Sequence, residues 1–399
     1  MRRRVVITGA GTVNALACDV PGTWAAMAAG RSAIGPLEFR DVERLSVRIG
    51  AQIRDWRPEA RFSRAELALC DRFTQFALAA ADEALAMAGG GPDPGTGVVI
   101  GSAAGGIATW EENYRAVFEE GRNRVPPLTV PRLMLNAASS HVAMRHGLRG
   151  PNFTVSSACA SANHAIGLAF RMVRDGAAPA MIAGGAEAML LFGGIKAWES
   201  LRVLSPDGCR PFSADRNGMV MGEGAAVFVL EDAARAQARG ARVLAEVAGF
   251  GMTADAGDIV APRPEGAAAA MRAALDEARL APGDVDYINA HGTGTAANDR
   301  SEVAAIRAAF GPVAGGLMVS STKAMHGHAI GATGGIELLA CLMALGEGVV
   351  APTLNLTRPD PDCDLDHVPN KARRAPVGAA LSNAFAFGGL NAVLALRAA

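Results

Sequence analysis

The chain is 399 residues long, half of them apolar and 19% charged, which allows a large buried core and excludes a disordered polymer. Its 38 Lys and Arg against 39 Asp and Glu leave a net charge of −1, so it has no global field for nucleic acid or an anionic membrane, and an acidic partner must meet a local basic patch. Six widely spaced cysteines without a C-x-x-C pair argue against a disulfide framework and a zinc site, and suit a reducing, cytoplasmic compartment.

From the N-terminus, Met1-Arg2-Arg3-Arg4 ahead of Val5-Val6-Ile7 has the outline of a signal peptide, and Leu16-Ala17-Cys18 that of a lipoprotein box. Thr8, Gly9, Gly11, Thr12 and Asn14 interrupt the apolar stretch that either needs, so the segment reads as a first strand and turn. No apolar run approaches the roughly 20 residues of a membrane helix. Short β-branched runs then alternate with Ala-rich stretches of helical period, the pattern of an α/β protein with a mostly parallel sheet. Strands are expected at 5–8, 97–101, 152–156, 180–184 and 225–231, and again at 245–250, 287–290, 318–321, 379–382 and 392–397. Helices are expected at 65–88, 161–175, 267–278 and 335–346. The charged stretch 231–242 divides the chain into 1–240 and 241–399. Ligands of such sheets gather beyond the carboxyl ends of strands, so chemistry is expected in the polar turns there.

The first such turn runs from Thr154 to Gly167 and holds Cys159 where a strand gives way to a small-residue helix. A helix N-terminus favours the thiolate, the nucleophilic form, and small neighbours admit an extended substrate. The competing reading of a lone cysteine is a buried small hydrophobe. The second turn, Asn289-Ala290-His291-Gly292-Thr293-Gly294-Thr295, is followed by Asn298, Asp299 and Glu302. The third runs from Ser320 through Lys323, His326 and His328 to Glu337. Two histidines flanking Gly327 have no third ligand nearby in sequence, so no metal is expected. Lysine is scarce, at positions 196, 323 and 371 only, so Lys323 in this turn hints at a need for a compact ammonium. A fourth segment, Leu381 to Ala392, is an apolar, Gly-containing loop able to offer backbone N–H groups and an aromatic gate.

Taken together, Ser157-Ala158-Cys159, His291 to Thr295, Lys323 to His328 and Asn383 to Asn391 resemble, in this order and spacing, the elongating β-ketoacyl-acyl-carrier-protein synthases. The likeness covers essentially the whole chain, including Arg210-Pro211-Phe212, Asp215-Arg216 and Met221-Gly222-Glu223-Gly224. Ser213 to Arg216, Asn298-Asp299, His326 and the acidic stretch 359–366 are similar to the branch containing nodulation protein E, itself similar to synthases of unsaturated or polyene acyl chains.

The resemblance implies the thiolase fold: two similar βαβαβαβ halves in a five-layered αβαβα structure, usually dimeric, with Cys159 in the first half and His291 and His328 in the second. It implies an acyltransferase that performs a decarboxylative Claisen condensation of an acyl thioester with malonyl carrier protein, in fatty acid or polyketide and polyene elongation. Cys159 would take the acyl group, and His291 and His328 would donate to the extender's thioester oxygen. Backbone N–H groups of Cys159 and Phe387 would form the oxyanion hole. Lys323 would pair with Glu302 and position the histidines, with Glu337 supporting the network. Thr293 and Thr295 would bind the phosphopantetheine arm, and Phe385, Trp198 and Ala104 would line the substrate path. Arg202 would meet an acidic acyl carrier protein, and the second subunit would be a copy of this chain or a related chain-length subunit. Substrates arrive on phosphopantetheine, with no resident cofactor.

This chain departs from its relatives at several points. Ala386 stands where many have Gly, which suggests a stiffer loop. Leu390 replaces a common Thr, and Ala104 a larger Ile, leaving room for a long or rigid chain. Ala65, Ala68 and Leu69 replace basic residues of the docking stretch. A degradative thiolase would need a second cysteine in a late Cys-x-Gly turn, and an initiating synthase would have Asn in place of His328. Retention of Cys159 argues against a non-catalytic chain-length partner of a heterodimer. Gly9-Ala10-Gly11 lacks the third glycine of a dinucleotide motif.

Overall fold

The computed structural model describes residues 3–90 and 93–399, so Met1 and Arg2 of the basic N-terminal run lie outside it. The first strand, β1 (Val5–Asn14), continues well past the expected turn at Thr8. Its polar groups are satisfied inside the sheet: Thr8 donates to Glu231 and Thr12 to the Ala225 carbonyl. Gly9 and Gly11 are the close-approach points of helix α1 (Arg72–Ala88), because a Cβ at either would overlap a carbonyl of Ala84 or Ala80. The residues weighed as half of a dinucleotide motif therefore serve helix-on-strand packing. The helix expected over 65–88 breaks at Cys70, where Asp71 caps α1 through the N–H of Phe73.

The first part continues with β2 (Gly97–Gly101), α2 (Ala137–His146), β3 (Asn152–Val155), α3 (Ser161–Arg174), β4 (Ala180–Glu187) and β5 (Gly224–Asp232). The second holds β6 (Ala245–Ala254), α4 (Pro264–Ala278), β7 (Tyr287–Asn289), α5 (Ala296–Phe310), β8 (Met318–Ser320), α6 (Thr333–Glu347), β9 (Ala379–Ala386) and β10 (Leu390–Arg397). Together these strands form one sheet in the order β8-β7-β9-β10-β6-β1-β5-β4-β2-β3.

The pattern repeats itself. From β1 outward the pairings run antiparallel to β5, antiparallel to β4, parallel to β2 and parallel to β3. From β6 outward they run in the same sequence to β10, β9, β7 and β8. The two sets meet where β1 pairs with β6 through Val5, Val6 and Ile7. Helices α1 and α2 cover the outer face of the first set, α4 and α5 that of the second, and α3 and α6 lie between. These are the five αβαβα layers of the thiolase fold. Ile330–Glu347 is long and apolar enough to cross a membrane, which the sequence reading excluded for every run, but 89% of it is buried here as the central helix of the core.

Candidate active site

The repeat determines where the chemistry converges. Cys159 follows β3 and His328 follows β8, the equivalent strands of the two sets, and each precedes a central helix. Ala158 and Ile330 stand three residues ahead of α3 and α6, and both have positive φ, 48° and 43°. Such strain is held by surrounding structure and gathers at functional turns. His291 follows β7, and the loop of Phe387 joins β9 to β10.

Cys159 Sγ lies 3.1 Å from Nε2 of His328, and His328 Nδ1 lies 2.8 Å from the Thr333 hydroxyl. The His291 and His328 rings meet edge to face at 82°, with centroids 5.4 Å apart. Burial pushes the Cys159 thiol up to about 12, with Lys323 acting in the opposite direction. The thiolate favoured by a helix terminus is therefore not the resting form. The sulfur keeps its proton and needs a base, and Nε2 of His328 is in hydrogen-bond reach. Burial first, and the Lys323 charge second, hold both His291 and His328 well below the usual histidine range, so both rings are neutral.

Lys323 does not pair with Glu302, contrary to the sequence expectation. Its ammonium, fully buried, donates to the Glu337 carboxylate and to the backbone carbonyl of His291, with Nδ1 of His291 at 3.5 Å. Glu302 instead accepts the N–H groups of His291 at 2.8 Å and Gly292 at 2.7 Å, and the Asn383 amide at 3.2 Å. Lysine and carboxylate thus grip His291 from its two backbone sides: Glu302 holds the N–H and Lys323 holds the C=O. An ammonium can only donate, so the nearby Nδ1 is left as acceptor and the ring proton belongs on Nε2. Burial pushes Glu302 up and Glu337 up to about 7.

His328 is held by its own backbone. Its N–H donates to Val220, and its carbonyl accepts from Gly222, where a Cβ would meet the His326 carbonyl at 2.5 Å. The Met221 to Gly224 motif is therefore the rail on which this histidine sits. His326 points elsewhere, with Nδ1 against the Gly327 carbonyl and Nε2 against Thr322, and burial drops its pKa to about 3. Cys159, His291 and His328 bring one sulfur and two ring nitrogens within 4.8 Å of one another, in place of the His326 and His328 pair considered from spacing.

A cavity of about 120 Å³ opens onto the sulfur, lined by Cys159, His291, His328, Thr293, Thr295, Trp198, Phe385 and Phe387 among others. The Thr293 and Thr295 hydroxyls are 2.9 Å apart, and the Trp198 and Phe387 rings stack at 5.8 Å. Phe385 stands edge-on to His291. Positive φ falls on Gly388 and Gly389, while Ala386 ends β9 paired with Leu390. The alanine thus occupies a strand position, and the stiffening expected of it does not arise from backbone strain.

Ala104 and Arg202 are not among the residues lining this cavity. Ala104 packs in the same apolar cluster as Cys159, with Ile107, Leu190, Phe192 and Ile195. The cavity is smaller than the roughly 300 to 1,000 Å³ of a typical ligand pocket, so a long chain would enter only by parting this cluster. Arg202 is exposed on a left-handed turn, φ 55°, after the helix Phe192–Ser200. Thr333 and Glu187 were missed by sequence reasoning. A hydroxyl opening a helix five residues after a histidine, and a carboxylate ending a buried strand, were the available signals.

Comparison with known proteins gives a concordant result. Residues 2–236 match the β-ketoacyl synthase N-terminal domain, and residues 244–357 its C-terminal domain. The chain is 51% identical to nodulation protein E of Rhizobium sp. (strain N33), over the full length of both. It is 42% identical to 3-oxoacyl-[acyl-carrier-protein] synthase 2 of Staphylococcus aureus (strain COL), over 99% of this chain and 98% of that protein. Among solved structures, the ishigamide ketosynthase/chain length factor superposes with a TM-score of 0.96 at 34% identity, over the whole of both chains.

Proposed function

The chain belongs to the β-ketoacyl synthases, condensing enzymes of the acyltransferase class that elongate chains in fatty acid or polyketide synthesis, and we propose that Cys159, His291 and His328 carry the reaction here. The observation that carries this reading is the 3.1 Å contact between Cys159 Sγ and His328 Nε2 beside a second neutral histidine.

In the first half-reaction the S–H proton passes to Nε2 of His328, and the sulfur attacks the acyl thioester. The bond to the phosphopantetheine sulfur breaks, and that sulfur leaves with the proton. Dividing the condensation into two steps through a covalent acyl-cysteine lowers each barrier. The backbone N–H groups of Cys159 and Phe387 receive the oxyanion. In the second, malonyl carrier loses carbon dioxide, and the electron pair of the broken C–C bond becomes an enolate. Nε2–H of His291, fixed by Lys323, donates to its oxygen. His328 can join it once the sulfur is acylated, because the Thr333 hydroxyl can donate to Nδ1 as readily as it accepts from it. The enolate carbon attacks the acyl-cysteine, the C–S bond breaks, and the sulfur leaves as a thiolate that takes up one proton from solvent by way of Nε2 of His328, which restores the resting thiol.

In this reading Thr293 and Thr295 hold the phosphopantetheine arm, which supplies the thioester, and no resident cofactor enters. Trp198, Phe385 and Ala104 border the chain, and exposed Arg202 meets an acidic acyl carrier protein. The working unit is a dimer of two copies or of this chain with a related subunit, in the cytoplasm, a compartment that suits its six free cysteines. The test is intact-mass analysis after incubation with a series of acyl carriers. Wild type should gain one acyl group, and Cys159→Ala none while keeping its fold. Condensation at a normal rate by the folded Cys159→Ala variant would end the covalent reading.

A further inference from the structure

Glu187 ends β4 in complete burial and, among the described residues, no cation pairs with it. One oxygen accepts the Ser102 hydroxyl at 3.1 Å and the Ala104 N–H at 3.2 Å. The other accepts the Ala103 N–H at 2.7 Å and the Gly331 N–H at 3.2 Å. The first three donors belong to the turn after β2 that presents Ala104, and the fourth to the loop between His328 and α6. Three of the four partners are backbone N–H groups that can only donate, so the group is best satisfied as a carboxylate, and a carboxyl proton would meet an acceptor only through reversal of the Ser102 hydroxyl. Burial pushes its pKa up to about 7, and the donors act in the opposite direction.

The repeat gives this arrangement its meaning. Gly331 follows the strained Ile330 as Cys159 follows the strained Ala158, so its N–H corresponds to the N–H expected to receive an oxyanion in the first set. A turn leading into a helix N-terminus attracts negative charge. Beside Cys159 that charge would come from the substrate, whereas beside Gly331 the acceptor is part of the fold, the Glu187 carboxyl group. The packing leaves no slack: a Cβ on Gly331 would lie 2.6 Å from both the Ala103 nitrogen and the Glu187 carboxylate.

We propose that Glu187 is a positioning residue that ties the wall of the acyl pocket to the loop of His328, so that one carboxylate sets both which chain is accepted and how well the extender is decarboxylated. This rests on the assignment of Ala104 to the chain path and of His328 to the extender.

Glu187→Gln tests it. Whichever way the amide faces, its NH₂ opposes at least one backbone N–H, while the Ser102 hydroxyl alone can reverse. The full-length protein is compared with wild type for carbon dioxide release from malonyl carrier and for competitive acylation of Cys159 by short and long acyl carriers, read by mass. Losing a buried hydrogen bond at this strength corresponds to roughly a tenfold change. The expected result is a drop of that size in the kcat of decarboxylation at unchanged KM, together with a similar shift in the long-to-short acylation ratio. Ser102→Ala, which removes one side-chain donor and leaves the three backbone N–H groups, should move both readouts in the same direction by a smaller factor, and it decides the matter if Glu187→Gln fails to fold. A folded variant with both readouts at wild-type values, or with one moved and the other not, overturns the tie. Failure of wild type to acylate at Cys159 would instead overturn the reading beneath it.

Discussion

Cys159 is a thiol that burial holds in its protonated form, and the groups around it are arranged by donors and acceptors more than by net charge. The Lys323 and Glu337 pair is the clearest case, because both side chains are completely buried. Removing one partner of such a pair leaves an uncompensated charge, at a cost of roughly 3 to 5 kcal/mol. Lys323→Met should therefore lower the stability to urea by about that much. Adding Glu337→Gln should recover part of the loss instead of summing with it, since the remaining group is then neutral. Glu302 meets Lys323 only through their shared partner His291, so Glu302→Gln should couple to Lys323→Met more weakly than Glu337→Gln does, at the low end of the roughly 0.5 to 3 kcal/mol seen within one hydrogen-bond network. If Glu302 couples to Lys323 more strongly than Glu337 does, the geometry described for the site is wrong.

The elements explain why part of this was legible in sequence and part was not. All ten sheet strands were expected at their starts or centres, because buried strands read as apolar runs. Their ends were missed where glycines and polar residues continue the ladder, as in Gly9 to Asn14 of β1 and Gly185 to Glu187 of β4. The motif turns identified the histidines and the cysteine but not which acid faces which base: Glu302 and Glu337 lie on different helices, and only tertiary packing decides between them. Helix α3 carries Cys159 ahead of its N-terminus and packs on β6 through Gly167, where a Cβ would overlap the Phe250 ring. Gly167→Ala gains about 1 kcal/mol of helix propensity, against roughly 1 to 3 kcal/mol for overpacking. A lower melting temperature and slower acylation of Cys159 are expected, and an unchanged or raised melting temperature would mean that α3 does not bear on β6 as described. Ala104 packs against the apolar cluster that holds Cys159. Ala104→Ile adds three carbons there, so by the same overpacking magnitude it should leave short-chain acylation intact and slow long-chain acylation by about tenfold. An unchanged long-to-short ratio would remove Ala104 from the chain path.

At the scale of the whole molecule, the two sets of strands share one core. A single cluster joins Val5, Ile7, Ile166 and Phe170 to Phe250, Tyr287, Leu338 and Leu394. The β1 to β6 pairing is short, so the packing of α3 and α6 between the sets is what couples them. Chains this long often unfold in stages, but staged unfolding requires a boundary across which little apolar surface is shared, and the central layer provides none. The site reinforces the point, since Cys159 and His328 come from opposite sets and meet at 3.1 Å. Of the four tryptophans, Trp24 and Trp198 touch Leu339 and Phe387 of the second set, whereas Trp56 lies in the apolar core of the first, so the fluorescence of a variant that keeps only Trp56 reports the first set, and amide exchange in α4 and α5 reports the outer layer of the second. We expect Trp56 fluorescence, protection of α4 and α5 and competence of Cys159 for acylation to be lost at one urea concentration. With slopes of 1 to 3 kcal/mol per molar typical even of smaller proteins, a gap of about 0.5 M between probes already signals separate units. If α4 and α5 lost protection well before the fluorescence changed, the second set would be an independent domain docked on the first, and coupling of the catalytic groups would rest on that docking rather than on a common core.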